Sequence, residues 1–82
     1  MPTIESVKIK FEAAQKSRNL SVRTRNELQA IADAESDPTI KEILTVAVIE
    51  ITTSIAQMDI ELLEVSDMIV EYERRTNPIH IH

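Results

Sequence analysis

The feature that most constrains this 82-residue chain is an apolar repeat in its second half, in which spacings of four and three alternate without a lapse. Such a repeat puts its members on one stripe of an α-helix and is typical of a coiled-coil seam. We call these nine residues the seam: Leu44, Val48, Ile51, Ile55, Met58, Leu62, Val65, Ile69 and Tyr72. The repeat predicts one long helix over residues 38–75, because Asp37 can cap a helix whose first residue is Pro38.

A strand is the main alternative for residues 43–55, which are rich in β-branched side chains. Two observations favour a helix. The heptad phase runs through this stretch without a shift, and the chain has no glycine, the residue that most tight hairpin turns need. A break in the long helix at Thr52–Ser54 is a further alternative, because Ser54 could cap a new helix.

The first half of the chain predicts two short helices, over residues 3–18 and 24–35. The first contains an apolar stripe made of Ile4, Val7, Phe11 and Ala14, which lapses at the next heptad positions, Arg18, Ser21 and Arg25. The second helix is predicted because Thr24 and Glu27 have the spacing of a capping box. The alternative is a single bent helix over residues 3–35.

The predicted fold is one all-α domain over residues 1–82, with two short helices, one long amphipathic helix and a tail at 76–82. A helix over residues 38–75 would be about 57 Å long, whereas a compact monomer of this size is about 30 Å across.

A second apolar stripe lies nearly opposite the seam on the long helix, at two other heptad positions. We call it the outer stripe: Val46, Ile49, Ala56, Ile60, Leu63 and Val70. Because the residues before the long helix can hardly cover both stripes, we expect a homodimer or small higher oligomer of coiled-coil character. In the expected arrangement the seam is buried between chains and helix 1 packs on the outer stripe, although the spacing alone does not decide which stripe meets which neighbour.

The composition argues against an enzyme. The chain has no cysteine and no tryptophan, one phenylalanine and one tyrosine, which excludes thiol chemistry and most stacking platforms. Its two histidines, His80 and His82, lie at the end of the chain, so no Ser-His-Asp arrangement is supported. Glu64 and Glu71 fall away from the seam, without a histidine on that helix, and are expected to face solvent. We therefore predict no catalytic residue, no metal site and no cofactor.

Charge is unevenly distributed in this small acidic protein, which has a net charge of −5. Residues 1–26 hold six basic and two acidic side chains, while residues 27–82 hold three basic and twelve acidic ones. Four of the basic residues are candidates for anion binding, together with free amides at the start of a second helix: Lys16, Arg18, Arg23 and Arg25. The acidic remainder argues against broad affinity for nucleic acids.

The leading hypothesis is a non-enzymatic, homo-oligomeric protein-interaction module, such as an adaptor, a chaperone-like factor or an inhibitor, that presents a helical surface. Its expected partners are itself and another protein. The alternative is a binder of nucleic acids or phosphate ligands that uses residues 16–25. The longest uncharged runs are far shorter than the roughly 20 apolar residues of a membrane span, and no secretion signal is evident, so we expect a cytoplasmic protein that does not bind membranes.

Overall fold

The computed structural model describes residues 3–76, which form two α-helices and no strand. Helix α1 spans Ile4–Ala34 and helix α2 spans Pro38–Thr76. The helices run antiparallel, since a lysine near the start of α1, Lys8, is paired with a glutamate near the end of α2, Glu73. The prediction of an all-α fold is confirmed. The proposed tail, apart from Thr76 itself, lies outside the described residues.

The prediction of two short helices in the first half is wrong, because α1 is continuous from Ile4 to Ala34 and has no break between residues 18 and 24. The alternative of a single helix over residues 3–35 agrees with the observed extent of α1, whereas the bend of that helix stays a prediction. Its backbone has a physical reason to continue, since no proline or glycine occurs within α1. Where the apolar stripe lapses, Arg18 reaches across to Asp59 on α2. At the lapse the side chains of α1 that face α2 change from apolar to polar, while the helical backbone continues.

Both helices begin with a side-chain cap. At the start of α1 the Thr3 hydroxyl accepts a hydrogen bond from the Ser6 amide at 3.2 Å, and the Ser6 hydroxyl oxygen accepts one from the Thr3 amide at 3.1 Å, which forms a capping box. At the start of α2 the Asp37 carboxylate accepts hydrogen bonds from the amides of Thr39 and Ile40, at 2.9 and 3.2 Å. The predicted start of the long helix is therefore observed.

Helix α2 runs unbroken through the β-branched stretch, without the alternative break at Thr52–Ser54. The threonine hydroxyls here donate to carbonyl oxygens one turn earlier in the same helix, as Thr52 does to Val48 at 2.7 Å and Thr53 to Ile49 at 3.0 Å. These hydroxyls are therefore satisfied within the helix, by the same carbonyls that accept the backbone amides of Thr52 and Thr53, and they need no partner outside it.

The core lies between α1 and the seam. Among the described residues its buried members are Ala32 from α1 and Val48, Ile55 and Ile69 from the seam. The other seam residues are half-buried, except Tyr72, which is exposed. The expectation that helix 1 packs on the outer stripe is therefore wrong for this chain, because α1 covers the seam. Association between copies stays a prediction.

The molecule is an elongated hairpin of 63 × 26 × 16 Å. Its radius of gyration is 18.8 Å, whereas a compact chain of this length has about 12 Å. Its accessible surface is 6511 Å², while a compact monomer of this mass exposes about 5,000 Å². The hairpin thus shows about 1,500 Å² more surface than a compact monomer would.

Candidate functional site

The most distinctive surface of the hairpin is the outer stripe of α2, which α1 leaves exposed, although Leu63 and Val70 also line open grooves between the two helices. All six of its residues are exposed. The five large ones retain between 48% and 63% of their surface: Val46, Ile49, Ile60, Leu63 and Val70. From Val46 to Val70 the stripe extends over about 36 Å of helix. An apolar surface of this length is typical of an interaction site in a soluble protein.

The pattern of the outer stripe is itself a second heptad repeat, offset from the seam. Thr53 and Asp67 occupy the two positions at which an apolar side chain is missing. The Thr53 hydroxyl already donates to the carbonyl of Ile49, so covering this residue leaves no unpaired donor. Asp67 is exposed and is the costlier group to cover, because a carboxylate loses its hydration on burial.

The outer stripe has two chemically different borders. One border is largely acidic and carries a residue every seven positions: Ile43, Glu50, Gln57, Glu64 and Glu71. The other border has a hydroxyl at three of its five positions: Thr45, Thr52, Asp59, Ser66 and Glu73. Its two acids, Asp59 and Glu73, are both paired with basic residues of α1. The surface is therefore apolar along its centre and negative mainly along one side.

Two ion pairs hold α1 in register on α2. The Arg18 guanidinium donates to both carboxylate oxygens of Asp59, from Nε at 2.8 Å and from Nη2 at 3.2 Å, and both side chains remain partly exposed. The hydrogen bond lowers the pKa of Asp59 and raises the pKa of Arg18. Near the other end of the hairpin, the hydrogen bond from Lys8 to Glu73 raises the pKa of Lys8.

The four residues of the predicted anion site lie on two faces of α1. Lys16 and Arg23, seven residues apart, are exposed, whereas Arg18 and Arg25 are half-buried, and Arg18 is engaged by Asp59. Since α1 is continuous here, the amides expected at a helix start are hydrogen-bonded within the helix. Anion binding through the exposed side chains stays a prediction.

An open groove of about 620 Å³ lies between the two helices, along residues 11–19 of α1 and 59–66 of α2, and the sequence analysis did not predict it. Its lining includes Phe11, Gln15, Asp59, Leu62 and the outer-stripe residue Leu63. The signal that could have indicated it is the lapse of the apolar stripe of α1, because polar side chains there leave the apolar groups of α2 partly uncovered. Within residues 3–76 no three acidic, histidine or cysteine side chains are placed to hold a metal ion.

Helix α2 is long and apolar enough to cross a membrane by length and composition. The mean hydropathy of its 18-residue window is 1.5, and 11% of that window is buried. One helix that meets this criterion is weak evidence for a membrane span.

The comparisons with known proteins give no relative for this chain. No known protein family matches it, and no curated protein or solved structure does.

Proposed function

We propose that this protein is a non-enzymatic interaction module that self-associates through the outer stripe of α2. The observation that carries the proposal is the line of five large apolar side chains, each about half exposed or more, that α1 leaves uncovered. Covering the remaining exposed half of such a side chain gains about 1 kcal/mol. Five of them on each of two copies give about 10 kcal/mol, which is comparable with the entropic cost of association, about 4–15 kcal/mol.

The thin core of the hairpin supports self-association. Four buried apolar side chains serve a described chain of 74 residues, and a single core in a domain of this size rarely supplies more than about 3–5 kcal/mol. Each chain exposes about 1,500 Å² more surface than a compact monomer would. A homodimer interface that buries about 3,000 Å² in total would remove this excess from both chains. Obligate homodimers bury about 2,000–5,000 Å².

The assembled module presents an acidic surface. Helix α2 carries acids away from the seam, among them Glu50, Glu64 and Glu71, and these stay at the border when the outer stripe is covered. A second protein with a basic surface is the partner that this charge favours. An adaptor, a chaperone-like factor or an inhibitor would act in this way, without a catalytic residue or cofactor, in the cytoplasm.

The test is the oligomeric state of matched variants, measured by light scattering and sedimentation equilibrium over a range of concentrations. Ile60→Glu places a charge in the middle of the outer stripe. Ile9→Glu makes the same chemical change at an exposed isoleucine of α1, 67% accessible, and is the control. We expect the wild type and Ile9→Glu to associate equally and Ile60→Glu to associate at least tenfold more weakly.

Circular dichroism on the same samples separates loss of association from loss of folding. If Ile60→Glu also loses helix content while Ile9→Glu does not, folding depends on the outer stripe, which agrees with the proposal. A wild-type chain that stays monomeric and helical at all concentrations would overturn it. A monomer that co-sediments with neutral phosphatidylcholine vesicles through the outer stripe would show instead that a membrane covers this surface.

Anion binding by α1 is a second candidate, favoured by the exposure of Lys16 and Arg23 two turns apart on one face. It predicts affinity for an oligonucleotide that falls steeply with salt and that the double change Lys16→Ala and Arg23→Ala removes. Lys41→Ala, which removes an exposed lysine of α2, is the control. The absence of oligonucleotide binding at low salt would exclude this candidate.

A further inference from the structure

We propose that the occupant of the outer stripe is the same stripe of a second copy, packed antiparallel about a twofold axis between Thr53 and Ala56. This inference rests on the proposed function and adds the orientation and register of the pair. In it, Val46 faces the partner's Leu63, Ile49 faces the partner's Ile60, and Thr53 faces the partner's Ala56. The six positions from Val46 to Leu63 form the interface core, and Val70, beyond the core, faces the partner's Thr39.

The spacing of the outer stripe permits this packing. Its residues alternate intervals of three and four, as in a coiled-coil seam, so two copies can interlock their side chains along this line. Thr53 and Ala56 are the smallest residues among the six core positions and lie at the centre, where two helices that cross approach most closely. The larger side chains lie towards both ends, where the helix axes diverge.

The charges along the two borders of the outer stripe favour the proposed register. With Ile49 opposite the partner's Ile60, the acidic border brings Glu50 against the partner's Gln57 and Glu64 against the partner's Ile43. The hydroxylated border brings Asp59 against the partner's Thr52. None of these pairs joins two acids. One pairing of like charges, Glu42 with the partner's Asp67, occurs twice by symmetry, once at each end of the pair. Both residues lie outside the interface core and are exposed, so water screens them.

The competing arrangements place acids together within the interface. A slip that sets Ala56 opposite the partner's Ile60 brings Glu50 against the partner's Glu64. A parallel pair sets Asp67 directly against the partner's Asp67 and brings Asp59 close to the partner's Glu64. Because like charges that face one another across an interface are unfavourable, the proposed register is the one in which the apolar contacts form without such pairs.

The proposed register can be tested by measuring distances between spin labels with pulsed electron resonance in the full-length chain. The sequence has no cysteine, so Lys41→Cys and Arg75→Cys each introduce one labelling site. Both positions are exposed on α2, and neither belongs to the outer stripe or its borders. From the rise of 1.5 Å per residue, the proposed register separates the two copies of position 41 by about 40 Å and the two copies of position 75 by about 60 Å.

Each alternative gives a different pair of distances. The slipped antiparallel register makes the two separations equal, at about 50 Å, and a parallel pair makes both shorter than about 30 Å. Either result would overturn the inference and leave self-association intact. Light scattering on each labelled variant and dilution with unlabelled chain are the controls. A chain that never associates would contradict the proposed function itself. A wrong register and an absence of self-association therefore give different results.

Discussion

Two isoleucines on α2, five residues apart, offer a direct test of which surfaces are covered. Ile55 belongs to the seam and is 5% exposed against α1, whereas Ile60 belongs to the outer stripe and is 56% exposed. Changing each to alanine removes the same atoms from the same helix. The two variants therefore have the same change in helix propensity, and their difference reports only what covers each side chain.

The expected magnitudes follow from the burial of each residue. Ile55→Ala removes a buried side chain and should destabilise the fold by about 2–5 kcal/mol. In an isolated hairpin Ile60→Ala should change stability by less than about 0.5 kcal/mol, since alanine is also the better helix former. If a second copy covers the outer stripe, Ile60→Ala should lower the stability of the dimer by about 1 kcal/mol for each chain. This amounts to about 2 kcal/mol per dimer, or roughly thirtyfold in association.

The assay is urea unfolding followed by circular dichroism at several protein concentrations. We expect the wild-type midpoint to rise with concentration, the Ile60→Ala midpoint to lie below it throughout, and Ile55→Ala to be the least stable of the three. If Ile60→Ala matched the wild type at every concentration, the outer stripe would contribute nothing to stability and no second copy would be covering it. If Ile55→Ala were tolerated, α1 would not be covering the seam.

Three further predictions concern the hairpin itself. The hydrogen bond from Arg18 lowers the pKa of Asp59 below its ordinary 3.8, so this ion pair stabilises the fold above that pH and is lost on acidification. The urea concentration at the unfolding midpoint should therefore decrease when the pH is lowered past about 4, and it should decrease less in Arg18→Gln. Asp37→Ala removes the cap that accepts two amides at the start of α2 and should lower the free energy of unfolding by about 1 kcal/mol; an unchanged midpoint would contradict this role. Ser21→Pro interrupts a continuous α1 and should destabilise by about 3 kcal/mol, whereas a chain with a break there would tolerate it.

Some of the fold was predictable because its causes are local in the sequence. Asp37 and Pro38 mark the start of α2 because a carboxylate can satisfy free amides and a proline needs no donor there. The unbroken spacing from Leu44 to Tyr72 requires a helix along that whole stretch, since a shift in backbone period would have broken its phase. These features depend on neighbours a few residues away.

The continuity of α1 was not predictable in the same way. The apolar stripe lapses at Arg18, and at that point the sequence resembles a helix end. The lapse is bridged by an interaction with Asp59, 41 residues further along the chain, and no local pattern reveals that partner. The packing of α1 on α2 also explains why Arg18 and Arg25, seven residues apart on one face of α1, are half-buried while Lys16 and Arg23 are exposed.

The sequence alone determined that α2 has two opposed apolar stripes, because side-chain direction on a helix follows from spacing. Only the tertiary structure decided which stripe α1 covers. Both stripes are apolar enough to pack, so the choice depends on how the side chains of another helix fit each of them and on the pairs, such as Lys8 with Glu73, that fix its register. Once α1 lies on the seam, the outer stripe of α2 stays exposed and is open to a partner.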